Sequence, residues 1–91
     1  MIIALDFDDT YTLDPDLWNT FILNALERNH KVMIVTMRYE HEGKMIRQAI
    51  GHFKLRIIFT GRKAKKPFVE KLMIYPDVWI DDCPEYILID V

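Results

Sequence analysis

The chain has 91 residues, 51% of them hydrophobic and 29% charged, with a formal net charge of −2. That length fits one domain whose thin core buries roughly 60–65% of the unfolded surface, either as a monomer or as a homodimer. A charge so near balance excludes a chain-wide field for nucleic acid or membranes, and the lone cysteine, Cys83, excludes an internal disulfide.

The first apolar run, Ile2–Phe7, is the near-continuous pattern of a strand buried on both faces of a parallel sheet. It is too short for a leader or a membrane span, so a cytoplasmic setting is expected. Asp14-Pro15 reads as a helix N-cap with proline at the first helical position. Leu17, Trp18, Phe21, Ile22, Ala25 and Leu26 fall on one face of that helix. Val32–Thr36 is a second strand. Glu40–Ile50 is a second helix, with Met45, Ile46, Ala49 and Ile50 inward and Gly51 as its stop. Leu55–Thr60 is a third strand. Pro67 opens a third helix carrying Phe68, Val69, Leu72 and Met73, and Tyr75-Pro76 ends it. Val78–Ile80 is a fourth strand, and Pro84 opens a last turn. The alternation predicts an α/β fold: a parallel sheet of four to five strands, right-handed crossovers and helices on both faces. Trp18, Trp79 and the five methionines are assigned to the core; His30, His41 and His52 are assigned to the surface.

Charge is unevenly placed. Residues 1–20 carry five acids and no base, residues 51–71 carry seven bases and one acid, and residues 77–91 carry five acids and no base. That order can bring a cation site and an anion site together. Each strand ends in polar groups: Asp6, Asp8 and Asp9; Thr36; Thr60-Gly61-Arg62; Asp81-Asp82. In open α/β sheets ligands bind beyond the carboxyl ends of the strands, where strand order reverses. If the first and fourth strands are neighbours, Asp6 and Asp8 face Asp81 and Asp82. Carboxylates so placed retain protons or enclose a hard cation, and Mg2+ takes oxygen ligands that a substrate phosphate completes.

These motifs resemble those of the haloacid dehalogenase-like superfamily, whose phosphatases carry four motifs on a Rossmann-like sheet. The first is Asp6-Phe7-Asp8-Asp9-Thr10, the second Thr36, the third lies within Gly61–Pro67, and the fourth is Asp81-Asp82. The last segment is also similar to that of 5′(3′)-deoxyribonucleotidases. The resemblance implies a three-layer fold and a magnesium-dependent phosphomonoesterase. In it Asp6 attacks phosphorus, Asp8 is the general acid and base, Thr36 donates to a phosphoryl oxygen, and a lysine adds positive charge. Asp81 and Asp82 hold Mg2+ together with Asp6 and the Asp8 carbonyl. Lys65 is the chosen lysine because it precedes the Pro67 helix start; Lys66 and Lys63 follow it. Arg38 and Arg62 are further phosphate candidates, whereas Asp9 and Thr10 read as loop and cap groups, and Cys83 as incidental.

Too few residues separate the first motif from the first helix, or Leu55–Thr60 from the third-motif loop, to hold a cap domain. An open site suits a phosphorylated substrate that is large or nucleotide-like, nucleic-acid ends included. The alternative is a non-catalytic haloacid dehalogenase-like module that holds a phosphorylated partner or nucleic acid through the basic stretch 54–71. A phosphoacceptor receiver domain needs an aspartate ending the third strand, where this chain has Phe59-Thr60-Gly61.

Overall fold

The computed structural model describes residues 1–91. Its strands are β1 (Ile2–Leu5), β2 (Lys31–Thr36), β3 (Arg56–Phe59) and β4 (Val78–Ile80). Its helices are α1 (Pro15–Glu27), α2 (Lys44–Ile50), α3 (Lys65–Lys71) and α4 (Glu85–Leu88). The four strands form one all-parallel sheet in the order β3-β2-β1-β4. The chain steps outward from β1 through β2 to β3, then returns to the far side of β1 for β4. Strand order therefore reverses between β1 and β4, and Leu5 sits in register with both Ile34 and Ile80. No helix is long and apolar enough to cross a membrane.

Alternation along the strands divides the apolar residues. Ile3, Leu5, Val32 and Ile34 cluster with Ile22 and Ala25 of α1 and with Ile46 and Ile50 of α2. Ala4, Met33, Val35 and Ile58 form a second cluster with Val69 of α3.

Local chemistry fixes most boundaries. Asp14 caps α1 by accepting the Leu17 N–H at 3.2 Å, and Pro15 occupies the first turn as expected. The third helix begins at Lys65, two residues before the expected proline. Pro67 still fits, because a first-turn residue has no intrahelical acceptor for an N–H anyway. That helix ends at Lys71, where Met73 turns left-handed (φ 61°) and the Ile74 N–H closes on the Val69 carbonyl.

Other expectations are corrected. The second helix does not start at Glu40: Glu40–Glu42 form a separate 3-10 turn, with Gly43 between it and α2. A β-carbon at Gly43 would lie 2.6 Å from the Phe59 ring, so close packing onto β3 requires glycine there. Gly51 is not the stop, because a further 3-10 turn (Gly51–Phe53) continues to Lys54, which takes the left-handed conformation (φ 57°). Met45 faces solvent at 55% exposure, as do Met1, Met73 and Leu17, so of the five methionines only Met33 is buried. Conversely, Tyr11 is buried in a 3-10 turn, stacked on Phe7 at 5.3 Å with its hydroxyl donating to Asn19. Trp18 and Trp79 pack against the two clusters while partly exposed.

The two kinds of apolar position separate experimentally. Ile34→Ala is expected to lower the unfolding free energy by about 2–5 kcal/mol in urea titrations. Met45→Ala is expected to change it by under about 0.5 kcal/mol. Equal losses would contradict the placement of Met45.

Candidate active site

The site grows from the fork between β1 and β4. The Asp6 N–H donates to the Ile80 carbonyl at 2.9 Å, extending the ladder one residue past β1 and fixing where the Asp6 side chain emerges. From across the cleft comes Lys65, the first residue of α3. The backbone before it is pinned by the Ala64 N–H donating to Asp90 Oδ1 at 2.7 Å. Lys65 is only 2% exposed, and its Nζ donates to Asp6 Oδ1 at 2.8 Å and to Asp81 Oδ2 at 2.5 Å. Asp81 is held in turn by the Cys83 N–H on its other oxygen, at 3.0 Å. The Thr10 hydroxyl lies 3.1 Å from both Asp6 Oδ2 and Asp82 Oδ1, either of which accepts its single proton, and it accepts the Asp82 N–H.

Asp8 has a different partner. Arg38 grips it side-on, with Nε 2.8 Å from Oδ2 and Nη2 2.6 Å from Oδ1. The third guanidinium nitrogen, Nη1, donates to the Glu42 carbonyl at 2.9 Å, which the 3-10 turn presents. Thr36 is buried at the end of β2, and its Oγ1 accepts the Arg38 N–H at 3.2 Å. Its hydroxyl proton is left available to an acceptor in the cleft.

Asp6, Asp8, Thr36, Arg38, Lys65, Asp81 and Asp82 thus line one cleft of about 280 Å3, together with Arg62. Of the three neighbouring lysines only Lys65 reaches it. Lys66 is exposed and does not line it, and Lys63 lies 3.9 Å from Asp90, beside a separate groove along β3. The expectation that Lys66 or Lys63 shares the cleft is corrected: Lys66 diverges from Lys65 by about 100° round the helix, and Lys63 precedes the helix and turns toward Asp90 and the β3 groove. Thr10 is the residue read as an ordinary loop group that proves central, and Asp90 is a support that sequence gives no sign of. Both act through contacts between distant segments, which leave no local pattern.

Electrostatics follow from the sharing of one ammonium by two carboxylates. Burial pushes the Asp6 carboxyl up to about 7; Lys65 opposes the rise, and Asp82 and Asp81 add to it. The Arg38 fork holds Asp8 below the usual carboxylate range, against a smaller upward push from burial. Burial and Glu85 push the Cys83 thiol above its ordinary value, the direction opposite to that of an activated thiolate.

Asp6, Asp81 and Asp82 each offer a carboxylate oxygen within 4.8 Å of the others. The set is all oxygen and anionic, which suits magnesium. Five carboxylates and three cations line the cleft, an excess that one divalent ion balances. The Asp8 side chain lies outside this group.

The chain matches no family model, and no curated protein or solved structure resembles it closely enough to establish kinship.

The raised Asp6 value has a testable sign. A carboxyl with a higher pKa folded than unfolded stabilises the fold while protonated. That contribution is fully present below the ordinary value of 3.8 and is lost as pH rises to about 7. Without divalent metal, the unfolding free energy of wild type minus that of Asp6→Asn is expected to fall across this window. The fall is on the order of a few kcal/mol, levelling off above it. A difference that stays flat with pH would show that Asp6 is not held in this way.

Proposed function

We propose that the chain is a magnesium-dependent phosphomonoesterase that forms an aspartyl-phosphate on Asp6. The observation that carries this reading is the convergence of Asp6, Lys65 and Asp81 at the one point in the sheet where strand order reverses. An Asp6 oxygen attacks phosphorus as the bond to the leaving oxygen breaks, and Asp8 delivers a proton to that oxygen. Water then attacks the phosphoryl group, Asp8 takes its proton, and phosphate departs to regenerate Asp6. Lys65 and the Thr36 hydroxyl stabilise the oxygens on which charge accumulates. Asp6, Asp81 and Asp82, with the Asp8 carbonyl, would hold magnesium, which when bound neutralises phosphoryl oxygens and displaces the proton that burial favours on Asp6.

The scaffold we infer is the three-layer, Rossmann-like arrangement of the haloacid dehalogenase-like superfamily, without a cap. The two apolar clusters on alternate strand positions support it. A cleft with no cap over it suits a phosphate carried on a larger molecule, nucleotide-like ones included. The alternative, a non-catalytic module using residues 54–71, has less support because that stretch disperses. Arg62 and Lys65 turn into the cleft, Arg56 and Lys63 border the groove at β3, and Lys66 and Lys71 face solvent elsewhere.

Phosphate release from p-nitrophenyl phosphate in magnesium tests the proposal. Activity is expected to disappear with EDTA and to fall at least about 10³-fold in Asp6→Asn. Thr36→Val is expected to cost about 10²-fold. Lys65→Ala is expected to be inactive, whereas Lys66→Ala stays within about twofold of wild type, as surface changes do. A folded wild type that binds phosphate without turnover points to the binding module.

A further inference from the structure

The acid–base role of Asp8 meets an obstacle in the molecule itself. Both Asp8 oxygens accept from Arg38, which turns the carboxylate toward the guanidinium and leaves only their remaining lone pairs for a leaving group. We propose that Arg38 exchanges partners when substrate arrives, its Nε/Nη2 edge passing from Asp8 to the substrate's phosphoryl oxygens, so that phosphate binding itself releases Asp8. The exchange deepens the phosphohydrolase reading and rests on it.

Three observations point the same way. First, the two partners are unequally held. Arg38 is anchored by Nη1 on the Glu42 carbonyl, by its N–H on Thr36 and by its position over the Phe7 ring, 5.5 Å from the centroid. Asp8 has no side-chain partner besides Arg38, and its side chain is 47% exposed against 22% for Arg38. Asp8 is therefore the partner free to swing. Second, the edge in question is the planar fork that binds carboxylate and phosphate in the same bidentate manner. With Nη1 committed elsewhere, phosphate competes with Asp8 for that edge and does not simply add to it. Third, the N–H of Arg38 bonds Thr36 Oγ1, the hydroxyl poised to donate into the same cleft, so fork and hydroxyl serve one anion. Arg62 also lines the cleft and supplies a second, less anchored guanidinium.

Competition has a signature that simple charge does not share. Removing the rival carboxylate by Asp8→Asn should tighten inorganic phosphate binding although it abolishes turnover. Any removal of negative charge does this to some degree, so the gain must be shown to depend on Arg38. The test is a double-mutant cycle at one fixed pH in magnesium, with inorganic phosphate titrated into 15N-labelled protein and followed by NMR. Asp8→Asn is expected to tighten phosphate about tenfold, and the gain to shrink below about twofold in an Arg38→Ala background. Arg38→Gln serves as that background if the alanine variant does not fold.

The Arg38 Nε–H resonance gives a second readout that needs no change at Arg38. In wild type it should move as phosphate displaces Asp8, while in Asp8→Asn it should broaden without ligand and sharpen when phosphate binds. An equal gain in both backgrounds, or an Nε–H signal that stays fixed while the rest of the cleft responds, overturns the exchange. So does a failure of phosphate to bind at all. Turnover does not enter these measurements. Phosphate capture by Arg38 in a protein that hydrolyses nothing would sink the hydrolase and keep the exchange. Hydrolysis with no Arg38-dependent gain would do the reverse.

Discussion

One ammonium group shared between two aspartates organises this molecule. Lys65 Nζ bridges Asp6 at the end of β1 and Asp81 at the end of β4, almost entirely out of water. Burying three charges is tolerable only when each is paired, because breaking such a set by losing one partner costs about 3–5 kcal/mol. The backbone is accordingly fixed on all three sides. Asp6 is tied into the ladder to Ile80, Asp81 accepts the Cys83 N–H, and the start of α3 is pinned by Asp90. Yet the set is not neutral. One cation between two carboxylates leaves a residual negative charge, and Asp82 with Thr10 adds to it. The fold holds together a group whose charge is satisfied in geometry but not in sum, and that mismatch makes the place suited to a divalent ion.

The sheet order gives the bridge its position. Any α/β chain with acids at strand ends could scatter them across the carboxyl edge. Here β3 lies two strands away from β1 and β4 lies directly beside it, so the acids of the first and last strands meet, while Thr36 at the end of β2 closes the other flank. The elements were legible in sequence, while the adjacency of β1 and β4 entered there only as a condition. Continuous β-branched runs mark buried parallel strands, Asp14-Pro15 marks the start of α1, and an acid pair ending a buried strand implies a partner for the charge. The helix carrying Lys65 was legible less well. Pro67 looks like a first helical residue, but proline is equally at home two positions later, and that difference decides which of three neighbouring lysines faces inward.

What could not be read depends on contacts between distant segments. The Arg38–Asp8 pair joins residues thirty positions apart, and nothing local to either announces it. The broken start of α2 belongs to the same arrangement. Residues 40–42 have helix-compatible composition but close into a 3-10 turn whose Glu42 carbonyl meets Arg38, and Gly43 lets the Phe59 ring pack against the chain. Tertiary demand overrides propensity at the point where the helix borders the cleft. Met45 fails for a local reason: Ile46 and Ile50 point fully inward, and Met45, about 100° round the helix from Ile46, falls on the solvent side of the stripe.

Every buried polar side-chain atom in the protein has a partner. The cleft is therefore not a set of bare groups awaiting a ligand but a paired network in which Arg38 and Lys65 occupy the carboxylates. A ligand entering such a network exchanges contacts of similar kind and does not add them to an empty space. Each charge-assisted bond gained with phosphate is set against one given up to an aspartate, so the net gain is smaller than the count of contacts suggests. On the phosphomonoesterase reading proposed above, modest affinity suits the release of inorganic phosphate. On that reading, selectivity for the rest of a substrate would come from outside the cleft, since the cleft would address only the phosphate it exchanges. The neighbouring surface within reach is the loop bearing Arg62 and the larger groove beyond it along β3, where Tyr39, Arg47, Arg56 and Lys63 gather. On the same reading, this open flank is the surface on which the group carrying the phosphate would be recognised.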